Sequence, residues 1–381
     1  MTGNTARRRA GHRRGPGSVE AMSSPDAGPV PDPPHVVRSP APGVSVIMTV
    51  QNEAGHLADS IGSVLAQNWP GPLQILVAIG PSVDETVAVA RRMASDDERI
   101  ELFDNPTGKT PAGLNIALAA VRYDIVARVD GHCVLPPGYL TAGVTTLDQT
   151  GAANVGGVMA ARGTTAFECA VAAAMTSKLG VGSAAFHVGG QPGPAETVYL
   201  GVFRREALRD VRGYDETFER AQDWELNHRI RSSGGLVWFT PELSVTYRPR
   251  ANVTGLARQY FNYGRWRRHV MTTHRGTVQV RYLAAPAAVG VMGLGIAAAI
   301  AGLVTGSRAL QLGVLAPIGY VLAVTVGGVV VAAEEPWRVR ARVPVALATM
   351  HCAWGVGFLV GVRPGRTAAK LSSKLAEPRR N

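Results

Sequence analysis

The sequence predicts an α/β fold: a doubly wound, mostly parallel sheet with helices on both faces, followed by C-terminal transmembrane helices. Two observations lead to this prediction. Residues 41–250 alternate short β-rich runs with segments whose apolar residues repeat every three or four positions. From residue 283 onward, three apolar stretches of about 20 residues follow one another, each long enough to cross a bilayer.

Four predicted strands open the α/β region, and a predicted helix follows each of the first three. The strands are Val44–Val50, Gln74–Ile79, Ile100–Phe103 and Asp124–Val129, and the helices are Ala54–Gln67, Asp84–Ser95 and Ala112–Val121. Within the first helix, Leu57, Ile61 and Leu65 recur with the period of a helix. Such alternation indicates a parallel sheet, whose ligands bind at the carboxyl ends of its strands.

The apolar stretches are Leu283–Thr305, Leu312–Ala333 and Val343–Val362. Buried core helices are the alternative, but three tandem stretches rich in Gly and Ala, separated by short basic turns, favour a multi-pass protein of the inner or plasma membrane. Arginines before the first stretch place the α/β region in the cytoplasm. Three crossings would put the basic C-terminal tail outside, against the positive-inside tendency, so one stretch can instead be re-entrant or interfacial. The sequence leaves this open.

These signals divide the chain into five segments. They are a disordered basic, Pro-rich tail at 1–40, the α/β domain at 41–250, an amphipathic basic-aromatic interface segment at 251–282, the membrane region at 283–362 and a basic tail at 363–381. The first segment has almost no apolar periodicity to offset its ordering entropy. No apolar region follows its arginines, so we do not expect a signal peptide.

Charge and cysteine content narrow the functional classes. Lys+Arg exceed Asp+Glu by 39 − 28 = 11, which predicts an anionic partner: lipid headgroups, phosphorylated substrates or nucleic acid. The arginines concentrate in the tail and the membrane flanks rather than on one recognition element, so we expect membrane lipids as partners and no nucleic acid. Cys133, Cys169 and Cys352 are too scattered for a disulfide framework or a CxxC metal site.

Asp130-Gly-His132 directly follows the fourth predicted strand. An acid and an imidazole two positions apart on a turn can share one divalent ion, with phosphate oxygens completing its shell. An Asx-turn with an incidental histidine is the alternative. The position at a strand end favours the metal site.

Gln222-Asp223-Trp224-Glu225 opens a predicted amphipathic helix. An acid there can be a cap or a dipole partner, or it can be a general base that deprotonates an acceptor hydroxyl. Asp223 and Glu225 point about 200° apart on a helix, so only one of them can face a given site. Further along, Arg265-Trp266 suits either a membrane-interface anchor or a site in which Arg265 steadies a diphosphate and Trp266 stacks on a sugar.

Several of these segments together resemble family 2 glycosyltransferases with the GT-A fold. Four segments carry the resemblance: the opening strand Val44–Glu53, the second strand and following turn Ile75–Thr86, Asp130-Gly-His132 at the metal-binding position and Gln222-Asp223 at the catalytic position. Finer features resemble the membrane-attached, succinoglycan-biosynthesis-type subgroup: Asn105-Pro106, Lys109–Asn115, Arg128–His132, Val155–Gly157, Thr197–Arg205 and Gln222–Asn227. The resemblance covers about residues 42–275.

The resemblance implies inverting transfer of a sugar from a nucleotide-diphosphate donor to a lipid-linked or cell-envelope polysaccharide acceptor. It implies that Asp223 is the general base and that Asp130 and His132 bind a divalent cation, Mn2+ or Mg2+. The implied nucleotide-sugar-binding residues are Thr49, Gln51, Glu53, Lys109, Asp130, Arg265 and Trp266. Attack from the opposite face needs only one carboxylate, unlike hydrolytic enzymes, which use a carboxylate pair.

Four positions depart from the family pattern. Residues 78–81 lack the Asp that usually contacts the base, His132 replaces an Asp, Gln222 replaces a Glu, and Asn262 replaces a Gln. The imidazole shifts the metal preference toward manganese. The altered turn favours one rival interpretation, a catalytically silent glycan-binding or scaffold member of the same fold, while the acids at 130 and 223 argue against it.

Overall fold

The structure is a computed structural model that describes residues 41–182 and 184–362. The predicted tails at 1–40 and 363–381 lie outside these residues. The described residues form a sheet-containing domain followed by a set of long helices.

One sheet contains all the strands of the described residues. They are β1 (Val44–Val50), β2 (Leu73–Ile79), β3 (Ile100–Asp104), β4 (Ile125–Arg128), β5 (Asn154–Ala161), β6 (Gly193–Pro194), β7 (Tyr199–Arg204) and β8 (Val237–Tyr247). Their order in the sheet is β3-β2-β1-β4-β7-β5-β8-β6. The first four are parallel to one another, β7 runs antiparallel between β4 and β5, and β5 pairs in parallel with β8. The predicted mostly parallel sheet is confirmed.

Helices cover both faces of this sheet. They are α1 (Leu57–Leu65), α2 (Thr86–Asp96), α3 (Thr110–Ala119), α4 (Tyr139–Thr150), α5 (Ala166–Met175), α6 (Lys178–Val181), α7 (Ala185–Val188), α8 (Arg205–Asp210) and α9 (Gln222–Ser232). Alternate residues of β1 face opposite sides: Met48 packs in one core with Ile61 of α1, and Ile47 packs in the other with Leu114 of α3. The sheet is therefore doubly wound, and its loops meet at the carboxyl edge of the parallel strands.

The described residues after β8 are mostly helical. They comprise α10 (Val253–Thr273), α11 (Ala284–Thr305), α12 (Arg308–Gln311), α13 (Leu315–Val331), α14 (Trp337–Arg340) and α15 (Val343–Val360), with short 3-10 turns at Val280–Tyr282 and Leu312–Val314. Three segments, Ala284–Thr305, Arg308–Val331 and Trp337–Val360, are long and apolar enough to cross a membrane. The predicted C-terminal group of apolar helices is confirmed.

Candidate active site

A buried arginine joins the two acids that the sequence analysis singled out. Arg128 ends β4, and its side chain donates from Nη2 to Oδ1 of Asp130 at 2.9 Å and from Nε to the same oxygen at 3.2 Å. Its Nη1 forms an ion pair with Asp223 in the first turn of α9. The end of a central strand and the start of α9 are thereby held together at the carboxyl edge of the sheet.

Arg128 is only 3% exposed. Burial by itself disfavours the charged form, but Asp130 and Tyr214 together more than offset it, Asp130 first, and the pKa of Arg128 is raised. The ring of Tyr214 lies 6.0 Å from the guanidinium carbon. Arg128 is therefore a fixed positive charge between two carboxylates.

The two acids of α9 point apart, as their spacing predicts. The side chain of Asp223 is 31% exposed and faces Arg128, whereas that of Glu225 is 1% exposed. Both carboxylate oxygens of Glu225 accept hydrogen bonds from Arg229 at 2.7 Å, and His274 Nε2 lies 3.2 Å from one of them. Glu225 is thus held in buried contacts with Arg229 and His274, while Asp223 remains accessible from the site.

Asp130, His132 and Cys133 form the candidate metal cluster. One ligand atom from each lies within 4.8 Å of the others. A carboxylate and an imidazole suit Mn2+ or Mg2+. Cys133 is buried, burial raises the pKa of its thiol to about 12, and its Sγ lies 3.3 Å from the hydroxyl of Tyr199. A protonated thiol is a poor ligand for these hard ions, so the donor set that fits is Asp130 with His132.

Sequence reasoning missed the proximity of Cys133, although its place next to His132 was a signal. It also gave Arg128 no role, because nothing in the sequence connects it with Asp223.

Glu53 orients His132. The Oε1 atom of Glu53 lies 2.9 Å from Nδ1 of His132, and this hydrogen bond, more than any other influence, raises the pKa of the imidazole. When one ring nitrogen of a histidine binds a metal, the other commonly forms a hydrogen bond to a carboxylate. The backbone N–H of Glu53 donates in turn to Thr86 at 2.7 Å, which anchors the loop after β1 to the start of α2.

The loops after β1 and β2 are fastened to each other. Gln51 donates from Nε2 to the carbonyl of Pro81 at 2.8 Å, and Asn52 Oδ1 accepts from the backbone of Val83 at 2.9 Å. Asn52 has a left-handed φ of 56°, a conformation that Asn tolerates better than most residues. The predicted nucleoside-binding loop is therefore held in a defined conformation at the carboxyl edge, beside the altered turn at 78–81.

Thr49 and Lys109 border this loop from the other side. The hydroxyl of Thr49 and the side-chain amide of Asn105 both lie against Gly113 of α3. Lys109 directly precedes α3, and its ammonium group lies 2.7 Å from a carboxylate oxygen of Glu219, just before α9. Both partners are well exposed, so Lys109 can readily exchange the Glu219 carboxylate for another anion.

Arg265 and Trp266 contact other elements of the protein. Arg265 donates from Nε to the carbonyl of Gly361, just after α15, at 2.8 Å. Trp266 is buried in a cluster with Phe218 and Trp224, the residue that follows Asp223. Their predicted contacts with the donor stay a prediction, and in the structure both residues contact protein.

Comparison with known proteins agrees with this geometry. The glycosyl transferase family 2 model matches residues 45–212. Succinoglycan biosynthesis protein ExoA of Rhizobium meliloti is 32% identical over 317 residues, which are 82% of this chain and 93% of the relative. The chain belongs to glycosyl transferase family 2. Glycosyltransferase AglE of Haloferax volcanii is 31% identical to this family 2 chain over a shorter match, 31% of the chain and 40% of the relative.

A solved structure supports the GT-A fold of this family 2 protein. Mannosyltransferase PcManGT from Pyrobaculum calidifontis, in complex with GDP-Man and Mn2+, superimposes with a TM-score of 0.57 at 20% identity, covering 84% of this chain and 87% of its own. The resemblance to family 2 enzymes with the GT-A fold is thus confirmed, and the chain is a glycosyltransferase.

Proposed function

We propose that this glycosyltransferase inverts the anomeric centre as it transfers a sugar from a nucleotide-diphosphate donor to a lipid-linked or cell-envelope polysaccharide acceptor at the cytoplasmic membrane face. Asp223 acts as general base, and Asp130 and His132 hold a divalent cation, Mn2+ or Mg2+. The observation that carries the proposal is Arg128, which holds Asp130 and Asp223 on opposite sides of one buried guanidinium.

The names of the similar proteins support the substrate class. The relative that shares most of its length with this chain is a succinoglycan biosynthesis protein, and the superimposed mannosyltransferase was solved with GDP-Man and Mn2+. The nucleoside is bound at the joined loops after β1 and β2, which contain Thr49, Gln51 and Glu53.

One protein base is enough for the proposed transfer. A carboxylate oxygen of Asp223 accepts the proton of the acceptor hydroxyl, whose oxygen forms a bond to the anomeric carbon. The bond between that carbon and the phosphate oxygen breaks with its electron pair, and the nucleoside diphosphate leaves from the opposite face. Asp130 and His132 would hold the divalent cation, which would supply positive charge to neutralise the diphosphate as it leaves.

Arg128 supports the base by holding it in place. Its Nη1 forms an ion pair with the carboxylate of Asp223. Because its guanidinium is buried and also held by Asp130, it fixes the carboxylate relative to the metal-binding turn. Correct placement of a base relative to the reacting atoms is a large part of its contribution to the rate.

A ligand screen tests the proposal. Detergent-purified protein is heated with UDP, GDP, CDP or dTDP, each with and without Mn2+, beside Asp130→Ala as the matched control. A nucleotide at 100 times its dissociation constant adds about 2.7 kcal/mol of stability. We expect one nucleotide to stabilise the native protein only with Mn2+ and to leave the variant unchanged, and the matching nucleotide sugar then to support transfer. No stabilisation of folded protein by any nucleotide contradicts the proposal and favours a scaffold.

A further inference from the structure

The last apolar helix, α15, differs from the other candidate spans in what surrounds it. Within its most apolar stretch 33% of the residues are buried, against 11% for each of the segments Ala284–Thr305 and Arg308–Val331. Helices α5, α6 and α10, which belong to the catalytic domain or directly continue it, contact both halves of α15. The other candidate spans contact it as well: Ala285 of α11 lies against Gly355, and the hydroxyl of Tyr320 in α13 lies 3.3 Å from Nδ1 of His351.

The first half of α15 packs against the segment between β5 and β6, which contains α5 and α6. Leu347 and Met350 share a buried cluster with Val171 and Met175 of α5. His351, at the middle of α15, lies with its Nε2 2.8 Å from the carbonyl oxygen of Leu179 in α6. A polar contact from the catalytic domain therefore reaches the point that would be the centre of a membrane span.

The second half of α15 packs against α10 with the two backbones in contact. A side chain at Gly264 would overlap the carbonyl of Trp354, and one at Gly357 would overlap the carbonyl of Phe261. Beyond this crossing, Arg268 donates to the carbonyl of Phe358 at 3.3 Å, as Arg265 does to that of Gly361. These arginines bind the carbonyls that a helix leaves unpaired at its C-terminus.

These contacts fix the depth of α10 relative to α15. If α15 crossed the bilayer, Arg258 and Asn262 of α10 would enter the hydrocarbon beside it, where charged and polar side chains are costly. Yet α10 also contributes Trp266 to the cluster that contains Trp224, next to Asp223. The helix thus belongs to the catalytic domain, which holds α15 at the same level.

We propose that α15 does not cross the membrane but lies at its surface, on the same side as the catalytic domain, and that α11 and α13 form a hairpin that crosses twice. In this arrangement, lipid covers the exposed face of α15. Its exposed residues Val345, Val356 and Val360 lie on one helix face, because their spacings are close to whole turns. Trp337, which precedes α15, is exposed and suits the headgroup region.

Charge in the sequence agrees with two crossings. The segment after residue 362 contains six basic residues: Arg363, Arg366, Lys370, Lys374, Arg379 and Arg380. Two crossings place them on the same side as the arginines that precede α11, as the positive-inside tendency requires, whereas three crossings place them opposite. The same basic residues then suit anionic lipid headgroups at that surface.

Site-directed labelling tests the number of crossings. Single cysteines are introduced by Ser95→Cys in the catalytic domain, Thr305→Cys at the end of α11 and Ser372→Cys near the C-terminus, in a full chain whose native cysteines are replaced by serine. Intact and permeabilised cells are then treated with a membrane-impermeant maleimide. We expect the cysteines at 95 and 372 to share one labelling pattern and the one at 305 to show the opposite one.

Labelling of residue 372 from the side opposite to residue 95 overturns the proposal, as does labelling of all three from one side. Reporter fusions to each end of the native chain repeat the comparison without any cysteine replacement: both ends on one side supports two crossings, and ends on opposite sides contradicts them. No enzyme activity is measured, so the outcome is independent of the proposed function.

Discussion

Replacing Arg128 by Met removes the one positive charge that lies between Asp130 and Asp223. Loss of one partner from a buried ion pair costs about 3–5 kcal/mol, because the other charge is left uncompensated. Here the carboxylate side chains are 22% and 31% exposed, so water partly solvates them and the lower end, about 3 kcal/mol, is expected. At about 2–4 °C for each kcal/mol in a domain of this size, the midpoint of thermal unfolding falls by about 6–12 °C.

The assay is thermal unfolding of the detergent-purified full chain, followed by tryptophan fluorescence. Arg122→Met is the matched control, since Arg122 forms a comparable ion pair with Glu101 at 2.9 Å but is 62% exposed, and such pairs contribute at most about 1 kcal/mol. In addition, Asp223→Asn in the Arg128→Met background should recover part of the loss, because it removes one unpaired carboxylate. Equal midpoints for the two methionine variants, or strictly additive effects in the double variant, would refute the assigned coupling.

Three further changes have defined outcomes. Asp223→Asn should lower turnover more than tenfold while nucleotide-sugar affinity changes little, and a variant that retains more than a tenth of the native turnover removes Asp223 from the base role. Asp130→Ala should abolish Mn2+-dependent nucleotide binding in calorimetry, and unchanged affinity with Mn2+ present is the contrary result. Glu168 is buried at the start of α5, and hydrogen bonds from Thr164, with a smaller contribution from Arg248, lower its pKa to about 2. The stability that this adds is present above the ordinary pKa of 4.5 and is lost as the pH falls toward 2, so the gap in unfolding midpoint between the native chain and Glu168→Gln should close over that range; a gap independent of pH would contradict this.

The strands and helices around the site could be predicted closely because their apolar periods are local. The first four strands match their predicted positions to within about two residues, and α9 begins at Gln222, where the sequence places it. The antiparallel direction of β7 was not predictable, because strand direction depends on the chain connection and not on the period within the strand.

The parts that sequence missed are contacts between distant segments. Arg128 and Asp223 are far apart in the chain, and only the folded sheet brings the guanidinium to the start of α9. Hydropathy likewise cannot distinguish an apolar face covered by lipid from one covered by protein, so α15 resembled the other two spans until its contacts were known. By contrast, the divergence of Asp223 and Glu225 was predictable, since it follows from helix geometry alone.

The close backbone contacts at Gly264 and Gly357 also bear on how far the enzyme can reach. No side chains separate the two backbones at these positions, so with α15 at the membrane surface, as proposed, its packing against α10 would set the distance between Asp223 and the lipid. If the acceptor is anchored in lipid, as proposed, its terminal hydroxyl must arrive at one fixed height above the bilayer. The packing of α10 against α15 would then select acceptors by the length of glycan already attached to the membrane lipid.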